Sequence, residues 1–425
     1  MTAPDSSTAC VPRMADTLAI LVGGGPAPGI NGVIASAAME ASKCGLRAIG
    51  IYDGYRDLAA GRAPKTVELS FDRVSRIHTS GGSILRTSRT NPAKDAATLQ
   101  RCVDALGALD VRYLVCIGGD DTTFGAAKIA ERTRGRIGVA TVPKTIDNDL
   151  PLPDNAPTFG FETARSVGAD ILESLMEDAR STARWYVVVC MGRKSGSLAL
   201  GMCKAAGSTL AVLPEEFPEH ARLASVADTI VGAIVKRRSF GREHGVAVVA
   251  EGVAERIDDA ALGATNFAHD AFGNVALADV PLGLVLRDTV RRRLSEIGLD
   301  SVVHAKDIGY ELRCAKPLPF DVDYTRTLGF GAVRYLVDGG SGALIALSGG
   351  RLHPLSLEEL LDEATGRIRT RQVDLTTEAY RVARDYMVYL EPADFTDREK
   401  LEALAAQTNL GPDEFRAQFE RVALS

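Results

Sequence analysis

Short, continuously apolar runs alternate along the chain with longer stretches of helical pattern. "LAILV" (Leu18 to Val22), "RAIGIY" (Arg47 to Tyr52), "YLVCI" (Tyr113 to Ile117), "IGVATV" (Ile137 to Val142), "WYVVVCM" (Trp185 to Met191) and "GVAVVA" (Gly245 to Ala250) predict strands buried on both faces. Between them, Gly32 to Lys43, Asp95 to Leu106, Thr122 to Glu131, Glu162 to Asp178 and Ala221 to Arg238 have helical length and composition. That alternation implies parallel sheets with crossover helices, so the fold class is α/β. Periodicity breaks in "PKTIDNDLPLPDNAPT", Pro143 to Thr158, where four prolines and repeated Asp-Asn pairs make a long loop, the expected hinge. After about Pro354 the pattern turns to charged helical sequence ("LSLEELLDEATGRI", "TDREKLEALAAQ") expected to serve packing or assembly.

A length of 425 residues suits two domains, and 46% hydrophobic content with 24% charge is ordinary for a globular protein. The net charge of −6 argues against a nucleic-acid or anionic-membrane surface, so an anionic ligand must meet a local cluster. No apolar run approaches the roughly 18 residues of a spanning helix. The first residues, "MTAPDSSTACVPRMADT", are expected to be a polar leader without export signal, and the chain to be cytoplasmic. The seven cysteines form no CxxC pair and the six histidines no HxxxH or HExxH spacing, which points to reduced thiols and argues against a zinc site.

Chemistry concentrates where strands end. "GGGPAPGIN" (Gly23 to Asn31) follows the first strand and precedes a helix, a place where backbone N–H groups approach phosphate oxygens. It is neither a dinucleotide fingerprint, because Pro28 stands where GxGxxG needs glycine, nor a Walker A loop, because no GK[ST] follows; a plain tight turn is the other reading. "GGDD" (Gly118 to Asp121) puts carboxylates at a second strand end. Beside a polyphosphate these require a cation, and Mg²⁺ takes one or two carboxylates plus phosphate oxygens, which makes Asp120 a metal candidate; for both aspartates the alternative is a helix N-cap. "PKTIDND" (Pro143 to Asp149) brings Lys144, Thr145, Asp147 and Asp149 to a third strand end, with a cation for phosphate oxygens and a carboxylate able to take a hydroxyl proton. Alone, "DND" also reads as an Asx-turn; the three loops together suggest phosphoryl transfer. Arg86, Arg89, Arg184, Arg193, Lys194 and Arg313 near other element ends suit a phosphorylated small molecule, and Glu251 can accept sugar hydroxyls or cap a turn.

At this point the chain resembles the phosphofructokinases. "GGGPAPGIN", "GIYDGY", "GGSILRTSR", "IGGDD", "PKTIDND", "MGRKSG" and "GYELR" stand in that family's order between about Leu18 and Gly350. ATP-using members typically read GGDG and PGTIDND, and pyrophosphate-using members resemble this chain, with Asp121 and Lys144 in place of two glycines. The resemblance implies two Rossmann-like three-layer lobes with mainly parallel sheets and the active site in the cleft between them. Its expected division is a leader at 1–16, a phosphoryl-donor and Mg²⁺ lobe at 17–158 plus about 314–350, a sugar-phosphate lobe at 159–313, and a helical extension at 351–425. It implies Asp147 as the base on the sugar 1-hydroxyl, Asp120 as the Mg²⁺ carboxylate and Asp149 in support. Gly24 and Arg89 match donor positions and Thr145 one near the transferred group. Arg184, Met191, Gly192, Arg193, Glu251, Tyr310 and Arg313 match sugar-phosphate positions. Arg184 is expected to reach in from a neighbouring subunit, hence a homo-oligomer, dimer or tetramer.

The implied reaction moves phosphoryl from pyrophosphate to fructose 6-phosphate, reversibly, in glycolysis or gluconeogenesis. The alternatives are an ATP-dependent kinase, which Asp121 and Lys144 oppose, a pyrophosphate-dependent enzyme preferring sedoheptulose 7-phosphate, and an inactive regulatory subunit. The chain departs from the family pattern at Pro26, where an Asp is common. It departs again at His304, where many members place a sugar-phosphate arginine, with Lys306 nearby.

Overall fold

The computed structural model describes residues 16–258, 262, 277, 280–362 and 367–423, so the expected leader lies, apart from Asp16, outside the described residues. Its strands are β1 (Thr17–Val22), β2 (Arg47–Ile51), β3 (Thr66–Glu68), β4 (Val111–Gly118), β5 (Gly138–Pro143), β6 (Trp185–Cys190), β7 (Leu210–Val212), β8 (Gly245–Ala250), β9 (Val303–Ile308), β10 (Ala343–Ser348) and β11 (Arg351–Ser356). They form two sheets, ordered β11-β10-β5-β4-β1-β2-β3 and β7-β8-β6-β9. In the first, β2, β1, β4, β5 and β10 run parallel, with β3 and β11 antiparallel at the edges. The second is parallel throughout.

The apolar runs become central strands because both of their faces are covered. Along β1, Leu18, Ile20 and Val22 face one core with the helices Ile30–Lys43 and Pro319–Val337. Ala19 and Leu21 face the other, with Cys102 and Leu106 of the helix Ala96–Ala108 and Ala126 and Ile129 of Asp120–Thr133. This period of two makes a three-layer lobe, each buried Leu, Ile or Val contributing about 1.5–3 kcal/mol. The second sheet is wrapped by the helices Phe161–Thr182, Ser197–Ala206, Leu223–Ser239 and Leu282–Glu296.

The chain passes between the lobes at an outgoing helix, at a returning helix and again in the tail, and one carboxylate staples the first two passages. Asp321, on the returning helix and fully buried, accepts from Gly160 N (2.8 Å), Thr163 N (2.9 Å) and Thr163 Oγ1 (2.5 Å) at the start of the outgoing helix. The tail differs from its sequence reading. Instead of turning directly to helix, it first adds β11 to the edge of the first sheet, six residues past the expected boundary at 350. Only then do the helices Glu378–Asp385, Pro392–Thr396, Arg398–Ala405 and Pro412–Ala423 follow. They sink Phe395, Phe415 and Phe419 into the core of the second sheet. No helix among the described residues is long and apolar enough to cross a membrane. Cys102, Cys116, Cys190 and Cys203 are buried free thiols.

Candidate active site

Strand order reverses direction between β1 and β4, which leaves a crevice at their carboxyl ends, the usual ligand position in open α/β sheets. Close backbone packing shapes it. Thr122 fills the space beside Gly23 and Gly118; a Cβ on either glycine would lie 2.3 Å and 2.2 Å from its side chain. Gly24 donates its N–H to Ser88 O (2.9 Å), Thr87 Oγ1 donates to Gly24 O (2.5 Å), and Asn31 holds the adjoining loop through Ser80 O, Gly81 O and Ile84 N. These bonds set Arg89 next to the first loop.

The helix Asp120–Thr133 has Gly119 at its N-cap, so neither Asp120 nor Asp121 serves as cap. Both stand in the first turn, where the helix dipole favours a carboxylate. Lys144 N donates to Gly118 O (2.9 Å), joining the ends of β4 and β5. The Lys144 side chain is buried and its Nζ donates to Gly25 O at 2.5 Å, lying over the Gly24–Gly25 turn. Burial pushes its pKa down to about 8, against the pull of Asp147 and with Arg313 and Arg89 adding repulsion. Thr145 Oγ1 accepts from Asp147 N (3.1 Å) and Thr145 O from Thr158 Oγ1 (2.7 Å). These bonds hold the turn that carries Asp147 in place.

The second lobe faces these groups with the ends of β6, β8 and β9. Glu251, buried at the end of β8, accepts from Gly192 N (3.1 Å) and Arg193 N (2.9 Å); desolvation raises its pKa. Arg193 sits at φ 49°, a left-handed conformation that a non-glycine residue keeps only where its surroundings impose it. From there its guanidinium crosses the cleft to Asp120 Oδ1 at 2.9 Å, with Asp121 at 3.9 Å. Burial opposes that charge, yet Asp120, Asp149, Asp121 and Asp147 hold the Arg193 pKa above its ordinary value. Arg313 stacks over the exposed Tyr310 ring, 5.3 Å from its centroid.

The cleft thus gathers Gly24, Arg89, Asp120, Asp121, Lys144, Thr145, Asp147, Met191, Arg193, Glu251, Tyr310 and Arg313 from seven separate loops of sequence. Three candidates lie elsewhere. Gly192 spends its N–H on Glu251, and Asp149 is buried behind the wall. Arg184 precedes β6, at the opposite end of that strand and roughly 20 Å from Met191 along it, beside Asp178 (3.9 Å). His304 is on the same far side, its ring 5.8 Å from that of Tyr186, so neither it nor Lys306 lines the cleft of its own chain. Ser88, Thr90, Glu255 and Leu277 also line the cleft. The first two flank Arg89 and were legible by adjacency; Glu255 and Leu277 carried no motif.

Asp149 is pushed up to about 7 by burial and then by Asp147 and Asp120, and its Oδ1 has no hydrogen-bond partner. Crowded carboxylates with an orphaned oxygen fit a nearby cation. No group of three or more His, Cys, Asp or Glu among the described residues is placed to hold a metal by itself. A cation here therefore needs oxygens from a ligand, as Mg²⁺ commonly does.

A two-lobed α/β molecule whose cleft combines anion-facing glycine turns, a buried lysine and paired carboxylates belongs to the phosphoryl-transfer class. The phosphofructokinase profile matches residues 17–336, and the chain belongs to the phosphofructokinase family. It is 50% identical over 414 residues to the pyrophosphate–fructose 6-phosphate 1-phosphotransferase of Thermotoga maritima, covering 96% of this chain and 98% of that one. It is 46% identical over 426 residues to the protein of that name from Naegleria fowleri, covering 97% of each. Its fold matches that of a pyrophosphate-dependent phosphofructokinase from Nitrosospira multiformis with a TM-score of 0.67, at 20% identity, over 88% of this chain and 91% of that one.

Proposed function

We propose that the chain transfers a phosphoryl group from pyrophosphate to the 1-hydroxyl of fructose 6-phosphate, reversibly, giving fructose 1,6-bisphosphate and phosphate. The observation that carries the choice of donor is the buried Lys144 ammonium on Gly25 O, with Asp121 lining the same cleft. Asp121 adds bulk and negative charge where a nucleotide's α-phosphate would lie, and the Lys144 ammonium adds a positive charge near the phosphates that are retained. Relatives named for pyrophosphate use, similar over nearly their full length, support the same reading.

In this mechanism Lys144 and Arg89 hold the donor, and Gly24 lets it approach the backbone. Arg193, Arg313, Glu251, Met191 and Tyr310 hold the sugar phosphate on the opposite wall. Asp147 takes the proton from the 1-hydroxyl as the oxygen attacks the phosphorus in line; the P–O bond to the leaving phosphate breaks, and Lys144 stabilises the departing charge. Thr145 orients the Asp147 backbone and flanks the transferred group. Asp120 would hold Mg²⁺, which when bound neutralises charge on the phosphate oxygens. Arg193, which reaches Asp120 Oδ1, would stand between that carboxylate and the sugar phosphate. Arg184 and His304, far from their own cleft, are the groups that a second copy of the chain would receive, which supports a homo-oligomer.

Replacing Asp121 and Lys144 together by glycine tests the donor assignment. The double variant is expected to lose at least tenfold in kcat/KM for pyrophosphate and to gain measurable use of ATP. Unchanged use of both donors would contradict it.

A further inference from the structure

The catalytic turn is held from outside by a segment that no motif marks. Asn148, between Asp147 and Asp149, has φ 58°, and its side-chain Oδ1 accepts from Thr158 N at 3.1 Å. Arg371, some two hundred residues later in the tail, converges on this turn with backbone and side chain. Its N–H donates to Asp149 O (2.7 Å), its Nε to Asn148 O (3.0 Å) and one terminal nitrogen to Ala156 O (3.0 Å); the other donates to Asn148 Oδ1. The planar guanidinium meets Asn148 O, Ala156 O and Asn148 Oδ1 at once, which a lysine cannot do. Two residues on, Val373 N donates to Glu215 Oε1 (2.9 Å), the same carboxylate oxygen that accepts from Gly196 N (2.9 Å) in the loop carrying Arg193. One short stretch of tail therefore touches the carboxylate turn of the first lobe and the arginine loop of the second.

We infer that Arg371 is a positioning residue for phosphoryl transfer: its guanidinium locks the left-handed Asn148 turn and so fixes where the Asp147 and Asp149 carboxylates stand. The role rests on the reaction proposed above. It acts on the base and not on the substrates, so its loss lowers kcat and leaves KM largely alone. The segment itself stays docked without the side chain, through the backbone bonds at 371 and 373 and the buried Ile368.

The test compares wild type, Arg371→Ala and Arg371→Lys for steady-state kinetics with pyrophosphate, fructose 6-phosphate and Mg²⁺, for Tm, and for amide exchange. Arg371→Ala is expected to lose about 10²-fold in kcat, the scale of a misplaced catalytic group, with both KM values within threefold. Exchange at residues 147–158 rises at least tenfold while that of β4 and β5 stays, and Arg371→Lys recovers part of kcat. If Arg371→Ala fails to fold, Arg371→Lys carries the test, with a kcat loss of about tenfold at wild-type Tm expected. An active wild type with variants of equal kcat, or a loop whose exchange does not change, overturns the role alone. A wild type unable to use pyrophosphate overturns the reaction and the role with it.

Discussion

Lys144 is a buried cation, and in the proposed reaction it is the residue that most plainly ties activity to pH. With its pKa pushed down to about 8 by burial, it carries charge below that pH and loses it above. The profile of kcat/KM for pyrophosphate, which reports the free enzyme, is expected to fall on the basic side near pH 8. Bound pyrophosphate sets negative charge beside Nζ and raises that pKa, so the corresponding limb of kcat lies at higher pH. The stability effect has the opposite direction. The ordinary lysine value is 10.5, so between about 8 and 10.5 the unfolded chain binds more protons than the folded one, and stability rises with pH through that window. Below pH 8 the full cost of burying the ammonium is present. A Lys144→Met variant that keeps the basic limb in its residual rate would assign the limb to another group. The paired Asp121 and Lys144 were readable from sequence because they interrupt glycine motifs. Arg371 was not: it reaches backbone carbonyls and one amide from far along the chain, and no residue pattern encodes such a contact.

Strand ends do more than lead to the site, since their close packing sets its shape. Thr122 wedges between the ends of β1 and β4, and the glycines at 23 and 118 exist to admit it. Gly23→Ala is expected to cost about 1–3 kcal/mol by overpacking. Adding Thr122→Ala to it, which removes the Oγ1 2.3 Å from the new Cβ, is expected to recover much of that loss. Chemical denaturation of the two single variants and the double variant checks this, and strictly additive losses would show that the wedge is not the cause. The strands covered on both faces were legible as unbroken apolar runs. The edge strand β9, "VHAKDI", was not, because exposed positions carry charge and break the run. β7 has only three residues, β10 depends on pairing with β5 across some two hundred residues of sequence, and β11 depends in turn on β10.

For the whole molecule, the lobes share one cleft but a single chain does not bring Arg184 to it. If Arg184 serves a neighbour's cleft, mixing an Asp147→Asn chain with an Arg184→Ala chain regains activity that neither has alone, since hybrids contain one cleft with both groups intact. No recovery after subunit exchange would place Arg184 outside the reaction. The central claim, that this cleft takes its phosphoryl group from pyrophosphate, is tested most directly by supplying the purified chain with fructose 6-phosphate, Mg²⁺ and either pyrophosphate or ATP, and measuring fructose 1,6-bisphosphate. Rapid formation with pyrophosphate and a rate at least a hundredfold lower with ATP is the expected result. Equal or faster formation with ATP would contradict it.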